Sequence, residues 1–326
     1  MQWVETTSAD TCRRDAQREK VLSLPQEALV ALHRRELYRH ALVALRVVVL
    51  GLLCVLALAQ TEWPWLWLIA TIWQGSTILA FTILLHEVVH DTAFPSSVLG
   101  NLPWIRGLLR WAYALPAGLS PSQFERWHLD HHAQLGSAIK DPKRAYLSPR
   151  RNARWLKLLY FTPALFIIYG RASACAIKTY PAELAVRIRW ERGVAIMFHL
   201  CLISTLITWG DWWLCLRVHL LPLLVAFPPW FALNRIGQHY DIEPRDASRW
   251  TTPTRRHRIF EFMMLWSNYH YEHHLFPRVP FYNLAKLHCL IRSHHADLGS
   301  EDRRYRDLLW GWVVRNQAPH ARWTRS

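Results

Sequence analysis

The sequence has few cysteines, and none is placed for pairing or for a zinc ribbon. Its six cysteines form no CxxC pair, and Cys54, Cys201 and Cys215 lie in apolar runs. A disulfide framework is therefore excluded, and we expect reduced, buried thiols. Residues 1–24 also lack the apolar core of a cleavable signal peptide. Membrane insertion, if it occurs, must depend on internal segments.

Acidic residues are scarce relative to basic ones. The chain has 24 Asp and Glu against 39 Lys and Arg, which gives a formal net charge of +15. In a soluble protein this balance would favour nucleic-acid binding. Here 52% of the residues are hydrophobic and 19 are Trp, which favours a membrane protein whose cytoplasmic loops carry the positive charge. We therefore expect no nucleic-acid partner.

Four apolar runs predict membrane-spanning helices, at residues 41–59, 65–85, 194–209 and 212–233. The turns that join them in pairs, residues 60–64 and 210–211, contain no Lys or Arg, whereas residues 1–40 are basic. The positive-inside rule then places both turns outside and the N-terminus in the cytoplasm. The runs predict an all-α integral membrane protein with four transmembrane helices in two hairpins and both termini cytoplasmic.

Shorter segments predict interfacial helices beside these spans. Residues 104–119 carry Arg106 and Arg110 among aromatics, which indicates an interfacial helix. Residues 155–169 are apolar but contain Lys157 and Pro163, which favours an interfacial or re-entrant segment over a full span. We divide the chain into a cytoplasmic N-terminal segment (1–40), a membrane domain (41–290) and a cytoplasmic tail (291–326).

Eight of the 18 histidines lie in three short boxes: His86-Glu-Val-Val-His90, His128-Leu-Asp-His131-His132 and His270-Tyr-Glu-His273-His274. Two HxxHH boxes would arise by chance in fewer than about one in several hundred such chains. Helical spacings of three and four place side chains on one face, so we expect the imidazoles of a box to converge on one point. Eight ligands exceed the capacity of one metal, which indicates two. Imidazole suits iron, zinc, copper and nickel, so the ligands alone do not choose among them.

Carboxylates accompany the boxes. Asp130 and Glu272 lie inside them, and Glu87 and Asp91 adjoin the first box. We predict that such carboxylates accept the second ring N–H of ligand histidines and so fix their tautomer. For Glu87 and Asp91, simple solvated charges are an equal alternative.

The order and spacing of the boxes, and their placement after the second and fourth spans, resemble the membrane fatty acid desaturase family, which includes lipid hydroxylases and carotenoid oxygenases. The third box, Tyr-His-Tyr-Glu-His-His-Leu-Phe-Pro, is similar to the acyl-lipid desaturase branch. The resemblance covers residues 40–290. It implies a non-heme centre of two iron ions, O2 as oxidant, and a separate electron donor of the ferredoxin or cytochrome b5 type.

The implied reaction is desaturation of a fatty acyl chain, as an acyl lipid or another acyl conjugate, in a histidine-rich cap at the cytoplasmic membrane face. Hydroxylation or ketolation of a lipid or carotenoid stays open, because these enzymes share the boxes. The resemblance also implies a ninth ligand, His239, after the fourth span. The predicted metal ligands are His86, His90, His128, His131, His132, His239, His270, His273 and His274; the predicted supporting residues are Asp130, Glu272, Asn234 and Asn268.

Two rival interpretations explain less of the sequence. His86-Glu87-Val-Val-His90 satisfies the HExxH pattern of a zinc protease, but the later spans contain no Asp as a further ligand and both HxxHH boxes would be unexplained. A metal transporter or metal-binding membrane protein would place its ligands near the bilayer midplane rather than at helix ends.

A basic surface is predicted to receive an acidic electron carrier. Its residues are Lys140, Lys143, Arg144, Arg249, Arg255, Arg256 and Arg258. A positive-inside surface without a specific partner is an equal alternative.

Overall fold

The structure is a computed structural model that describes residues 24–95, 102–135, 137, 139–149, 151–240, 251–294 and 302–317. Within these residues the chain is mostly helical and forms no β-strand. A single isolated parallel bridge joins Thr254 to Arg303 in this part of the chain. The predicted all-α class is confirmed.

The described part of the chain contains the following helices. In chain order they are α1 (Gln26–Leu32), α2 (Leu37–Gln60), α3 (Pro64–Val89), α4 (Pro103–Ala114), α5 (Pro121–Ala133), α6 (Pro142–Ala145), α7 (Arg154–Leu158), α8 (Ala164–Ile177), α9 (Ala182–Trp209), α10 (Trp212–His239), α11 (Arg258–Met263), α12 (His270–Leu275), α13 (Leu284–His294) and α14 (Tyr305–Leu309). Helices α3 to α6 each begin with proline, whose fixed φ suits the first helical position.

Four helices, α2, α3, α9 and α10, are long and apolar enough to cross a membrane. They contain the four predicted runs and extend beyond them, because polar residues such as Glu191 and His239 continue the helices past their apolar segments. The two-hairpin arrangement and the cytoplasmic position of the termini stay predictions.

Helix α10 is not a regular α-helix. It contains two five-residue π-turns, Leu216–Leu220 and Pro222–Ala226. Pro222 cannot donate a backbone hydrogen bond, and a widened turn accommodates the missing donor. Close packing accompanies this irregular segment, because the backbone of Ala226 lies against Gly75 of α3.

Replacing Gly75 with alanine is expected to lower the unfolding temperature in detergent. A β-carbon there would lie 2.5 Å from the Ala226 carbonyl carbon, and overpacking of this kind typically costs about 1–3 kcal/mol. Gly193→Ala is the matched control, because a β-carbon at Gly193 meets nothing within 4 Å. An unfolding temperature that falls equally in both variants would contradict this packing.

Three charged or titratable side chains inside the second pair of spans make polar contacts with other segments. His199 Nδ1 of α9 lies 3.2 Å from His219 Nε2 of α10, and His199 Nε2 lies 3.0 Å from the Leu115 carbonyl oxygen. Arg217 donates to the Thr61 carbonyl at 3.3 Å. These contacts place the three polar side chains against other parts of the protein.

The segment predicted to be interfacial or re-entrant does not form a straight span. The helices that cover Arg154–Phe161 and Ala164–Ile177 are bent by 100° relative to each other. Pro163 lies at the bend, where it cannot continue the hydrogen bonding of the preceding helix. The segment predicted at residues 104–119 is helical at α4 and ends in a 3-10 turn, Leu115–Ala117.

Candidate metal centre

Four helix segments carry the nine predicted ligand histidines. His86 lies in the last turn of α3, and His90 immediately follows that helix. The second box lies on α5, the third box on α12, and His239 is the last residue of α10. The centre therefore lies where two candidate spans end and two short helices meet them.

Helix α5 is fixed at its N-terminus by a candidate span. Ser120 caps the helix by accepting from the Gln123 N–H at 3.2 Å. The buried carboxylate of Glu191, on α9, accepts from the Ser120 hydroxyl at 2.5 Å and from the Ser122 N–H at 2.8 Å. Hydrogen bonds to a charged acceptor are stronger than those to a neutral one. This contact therefore fixes the position of α5, and with it the second box, relative to α9.

Glu87 joins the first box to the segment after the third. Its buried carboxylate accepts from the Thr92 hydroxyl at 2.6 Å and from the Phe281 N–H at 3.0 Å. His86 Nδ1 lies 3.1 Å from the same carboxylate. Glu87 therefore both orients a predicted ligand and connects two parts of the chain, which the solvated-charge alternative does not explain.

The structure brings all nine predicted histidines together, in two clusters. One contains His86, His90, His128, His132 and His273, and the other contains His131, His239, His270 and His274; within each, the possible ligand atoms lie within 4.8 Å of one another. The clusters adjoin each other, since the rings of His132 and His274 stack with centroids 4.2 Å apart.

Each HxxHH box supplies ligands to both clusters, so the expectation that a box converges on one point is wrong. His128 and His132 lie in one cluster and His131 in the other; His270 and His274 lie together, apart from His273. The reason is that a helix turns by about 100° per residue. The first and last histidines of a box, four residues apart, therefore point in directions that differ by only about 40°. The two adjacent histidines point in directions that differ by about 100°.

The spacing of the ring nitrogens matches the coordination shell of a first-row metal. In the first cluster, neighbouring Nε2 atoms are 2.7 Å apart for His90 and His128 and 3.1 Å apart for His86 and His273. In the second, His131 and His239 Nε2 are 2.8 Å apart. Two imidazole nitrogens at right angles, each about 2.1 Å from a shared ion, would be about 3.0 Å apart.

Hydrogen bonding alone cannot satisfy this arrangement. His128 Nε2 lies 2.7 Å from His90 Nε2 and 3.0 Å from His132 Nε2, yet a ring nitrogen offers one proton or one lone pair. Burial, followed by the repulsion of neighbouring histidines, holds the pKa of His128, His270 and His274 well below the usual value. The rings are therefore neutral near pH 7, which is the form that binds metals.

Asp141 supports the second cluster and was not predicted. Its buried carboxylate accepts from His131 Nδ1–H at 2.9 Å and caps α6 by accepting from the Lys143 N–H at 2.9 Å. This hydrogen bond leaves His131 Nε2 unprotonated and directed into the cluster. The pair Asp141-Pro142 indicates the start of a helix in the sequence. That Asp141 lies next to His131 depends on the turn between them, which the sequence does not reveal.

The four supporting residues predicted from the sequence make other contacts. Asp130 accepts from Arg126 at 2.8 Å, because two residues after His128 the helix has turned to its outer face. Glu272 accepts from His288 at 2.6 Å. Asn234 accepts from Ser267, and the Asn268 side chain makes no hydrogen bond within the described residues. The prediction that Asp130 and Glu272 orient ligand histidines is therefore wrong. Asp91, the remaining candidate, pairs with Arg106 at 3.1 Å.

Replacing Asp141 with asparagine is expected to weaken metal binding in the second cluster by roughly 10- to 100-fold, the usual effect of losing a carboxylate behind a ligand histidine. Competition with a chelator on the purified protein measures the affinity. Asp130→Asn removes the same charge from a carboxylate that contacts Arg126 and is expected to bind metal as the wild type does. Equal affinities in the two variants would contradict the role of Asp141.

A cavity of about 120 Å³ lies between the helices and reaches both clusters. Leu79 and Ile83 of α3 and Phe231 of α10 contribute apolar lining, and His86, His128, His270 and His273 lie at its wall. An apolar lining with a few polar groups is typical of small-molecule sites. The cavity therefore brings apolar side chains of two candidate spans next to the predicted ligands.

The predicted basic surface is only partly present. Lys143 is half-buried and lines this cavity, and Arg144 is buried. Arg255, Arg256 and Arg258 are exposed, whereas Arg249 lies outside the described residues. A position for Lys143 in the cavity was not expected, because lysines are rarely buried unless paired.

Comparisons with known proteins point to lipid oxidation. The family model for fatty acid desaturase matches residues 62–308. A sphingolipid delta(4)-desaturase/C4-monooxygenase of Bos taurus is 24% identical, covering 96% of this chain and 90% of its own. Its Homo sapiens counterpart is 24% identical, covering 98% and 93%. A sphingolipid delta(4)-desaturase of Xenopus tropicalis is 40% identical over 77 residues, 23% of this chain and 22% of its own.

Proposed function

The chain belongs to the fatty acid desaturase family and is an oxidoreductase, and from this premise we propose that it desaturates or hydroxylates the hydrocarbon chain of a membrane lipid. The two histidine clusters would hold two iron ions, which with O2 and two electrons supply the power to remove hydrogen from an unactivated C–H bond. We place this centre at the cytoplasmic face of the membrane.

The observation that carries the proposal is the meeting of an apolar cavity with both clusters. The cavity is lined by Leu79, Ile83 and Phe231 and also by histidines of both clusters, including His128 and His270. A lipid chain that occupies this cavity would therefore lie beside the metal centre. A metal transporter would not need an apolar cavity next to its ligands, and a protease would not use both HxxHH boxes.

Each part of the chain has a defined task in this proposal. The nine histidines would hold the two ions, and the carboxylates of Glu87 and Asp141 orient His86 and His131 through their Nδ1–H groups. The apolar walls position the hydrocarbon chain and exclude water, which keeps the oxidising power directed at the substrate. The bound chain needs no acid or base at the reacting carbon from the protein.

Desaturation is the first candidate outcome, and hydroxylation is a second with specific support. The relatives from Bos taurus and Homo sapiens are named as both desaturase and C4-monooxygenase. Both reactions begin with removal of one hydrogen, so one site can serve either. Sphingolipids are the substrate class that these names suggest for this chain.

Lipid analysis of cells that express the protein tests the proposal. Mass spectrometry should reveal a new lipid lighter by two hydrogens for desaturation, or heavier by one oxygen for hydroxylation. Variants His131→Ala and His273→Ala, one from each cluster, should give neither product while still inserting in the membrane. Unchanged lipids in cells whose purified protein contains iron would contradict the proposal.

The electron donor is proposed to be a separate ferredoxin or cytochrome b5 type protein that docks on the exposed Arg255, Arg256 and Arg258. Complementary charge mainly raises the association rate. Salt screens this attraction, and the screening length is about 8 Å at physiological ionic strength. The rate of electron delivery should therefore fall as salt rises, and fall less steeply in the Arg255→Gln/Arg256→Gln variant. A rate independent of salt in the wild type would count against docking at this surface.

A further inference from the structure

Two cations of α7 close the end of the C-terminal helix. Helix α14 continues into a π-turn that ends at Val314, and a helix leaves its last carbonyls without helical partners. Lys157 donates from Nζ to the Trp312 carbonyl oxygen at 3.0 Å. Arg154 donates to the carbonyl oxygens of Val313 at 3.1 Å and Val314 at 2.9 Å. Positive charge also stabilises this end of a helix through the helix dipole.

Lys157 is the buried member of this pair. Its exposed fraction is 0%, and its Nζ also donates to Asn316 Oδ1 at 3.0 Å and to the Gln317 carbonyl oxygen at 2.5 Å. The backbone carbonyl of Asn316 accepts in turn from the Asn152 amide at 2.7 Å. Because each proton of the ammonium has an oxygen, an apolar side chain at this position would leave three acceptors without their partner.

The C-terminal helix packs on the last turn of α10. Trp312 belongs to a buried cluster with Ile236 and Tyr240, and its ring meets that of Tyr240 edge to face, with centroids 5.2 Å apart. The Tyr305 hydroxyl lies so close to Gly237 that a β-carbon at Gly237 would overlap it. The last turn of α10 therefore depends on the C-terminal helix for much of its packing.

This turn carries a ligand of the second cluster, because His239 is the last residue of α10. Helix ends fray unless they are held. The C-terminal segment also contacts the chain beyond this end: the Arg303 N–H donates to the Pro253 carbonyl at 2.9 Å. The neighbouring Thr252 hydroxyl accepts from the Tyr240 N–H at 2.8 Å. The same segment thus supports the position of His239 from both sides.

We propose that residues 302–317 form a clasp, locked by Lys157, that holds His239 in place for the metal of the second cluster. Lys157 lies outside both clusters and is a positioning residue, which acts through Trp312 and Tyr240. A metal binds only the molecules whose ligands are in place, so its apparent affinity falls in proportion to that fraction. This inference rests on the proposed function, because it takes the two clusters as the iron sites.

Iron affinity, measured separately for each cluster, tests the clasp. The double variant His86→Ala/His90→Ala spares the second cluster, and His270→Ala spares the first. Added to the double variant, Lys157→Met should weaken iron binding by roughly 10-fold in competition with a chelator, as expected if the fraction with His239 in place falls to about one tenth. Added to His270→Ala, it should leave the affinity unchanged.

Two further variants make the comparison specific. Lys178→Met replaces an exposed lysine on the neighbouring segment and should change the iron affinity of neither cluster. Arg154→Gln removes two hydrogen bonds to the clasp from an exposed position. It should weaken iron binding in the second cluster alone, though less than Lys157→Met does, and it decides the question if Lys157→Met does not fold.

The outcomes separate the clasp from the proposed function. An unchanged affinity of the second cluster in both Lys157→Met and Arg154→Gln would overturn the clasp while lipid oxidation stands. Equal weakening of both clusters would also overturn it, because that result indicates a general loss of stability. If the wild type bound zinc in place of iron, the proposed function would fail, and the same comparison made with zinc would still test the clasp.

Discussion

Replacing His239 with alanine is expected to reduce bound iron from two ions per chain toward one and to abolish lipid oxidation. His239 supplies one of the four Nε2 atoms of the second cluster, and its Nε2 lies 2.8 Å from those of both His131 and His270. Its removal leaves three imidazoles, fewer than the four ligands that even a closed zinc site uses. Elemental analysis of the purified protein and lipid mass spectrometry give the two readings.

His257→Ala is the control for this variant. His257 is exposed and packs against Phe260, with ring centroids 4.7 Å apart, and it belongs to neither cluster. Its removal should change neither the iron content nor the product. Two tightly held irons with normal turnover in the His239 variant would contradict the assignment of His239.

Replacing Ile83 with phenylalanine is expected to lower lipid oxidation by roughly 100-fold while the iron content is unchanged. Ile83 lines the cavity beside His86 and Glu87, so a larger side chain there would displace a bound chain from the metal centre. A misplacement of about 1 Å can cost that much in rate. Turnover with a defined lipid, together with iron analysis, separates a blocked cavity from a lost metal.

Ile69→Phe makes the same chemical change on the same helix. Ile69 is 56% exposed and does not line the cavity, so this variant should oxidise lipid at the wild-type rate. If both variants kept full activity, the cavity would not be the path of the substrate. A loss of iron in the Ile83 variant would instead indicate damage to the first box.

The histidine boxes could be predicted from the sequence because their spacing is local. A helix places His86 and His90, or His128 and His132, on one face wherever it lies in the fold. Which boxes share a cluster depends on how four helix segments meet in space, and no local pattern records that. His239 belongs to no box and came from the resemblance to the desaturase family.

Supporting side chains were harder to predict, for a physical reason. Asp130 lies inside a box but on the outer face of α5, where it contacts Arg126, whereas Asp141 reaches His131 because the chain turns back between them. Lys143 was assigned to the basic surface that would receive an electron carrier. Its position in the cavity depends on contacts between distant segments, which no local pattern records.

The spans were predictable from composition, and their irregularities were not. The apolar run of α10 indicates a crossing helix, but its two π-turns depend on how Pro222 and the neighbouring residues pack against α3. In the same way, Pro163 indicated that the helix at residues 155–169 is interrupted. The 100° angle between the two helices on either side of Pro163 depends on how they pack.

The number of iron ions per chain in the wild type, in the double variant His86→Ala/His90→Ala and in His270→Ala tests the central claim most directly. His86 and His90 belong to the first cluster and His270 to the second, so that each variant leaves three imidazoles in one cluster. If each cluster holds one iron, elemental analysis should give about two ions for the wild type and about one for each variant, since each variant spares the other cluster. A wild type with a single metal ion, or with zinc in place of iron, would contradict the claim, as would either variant that retains both irons.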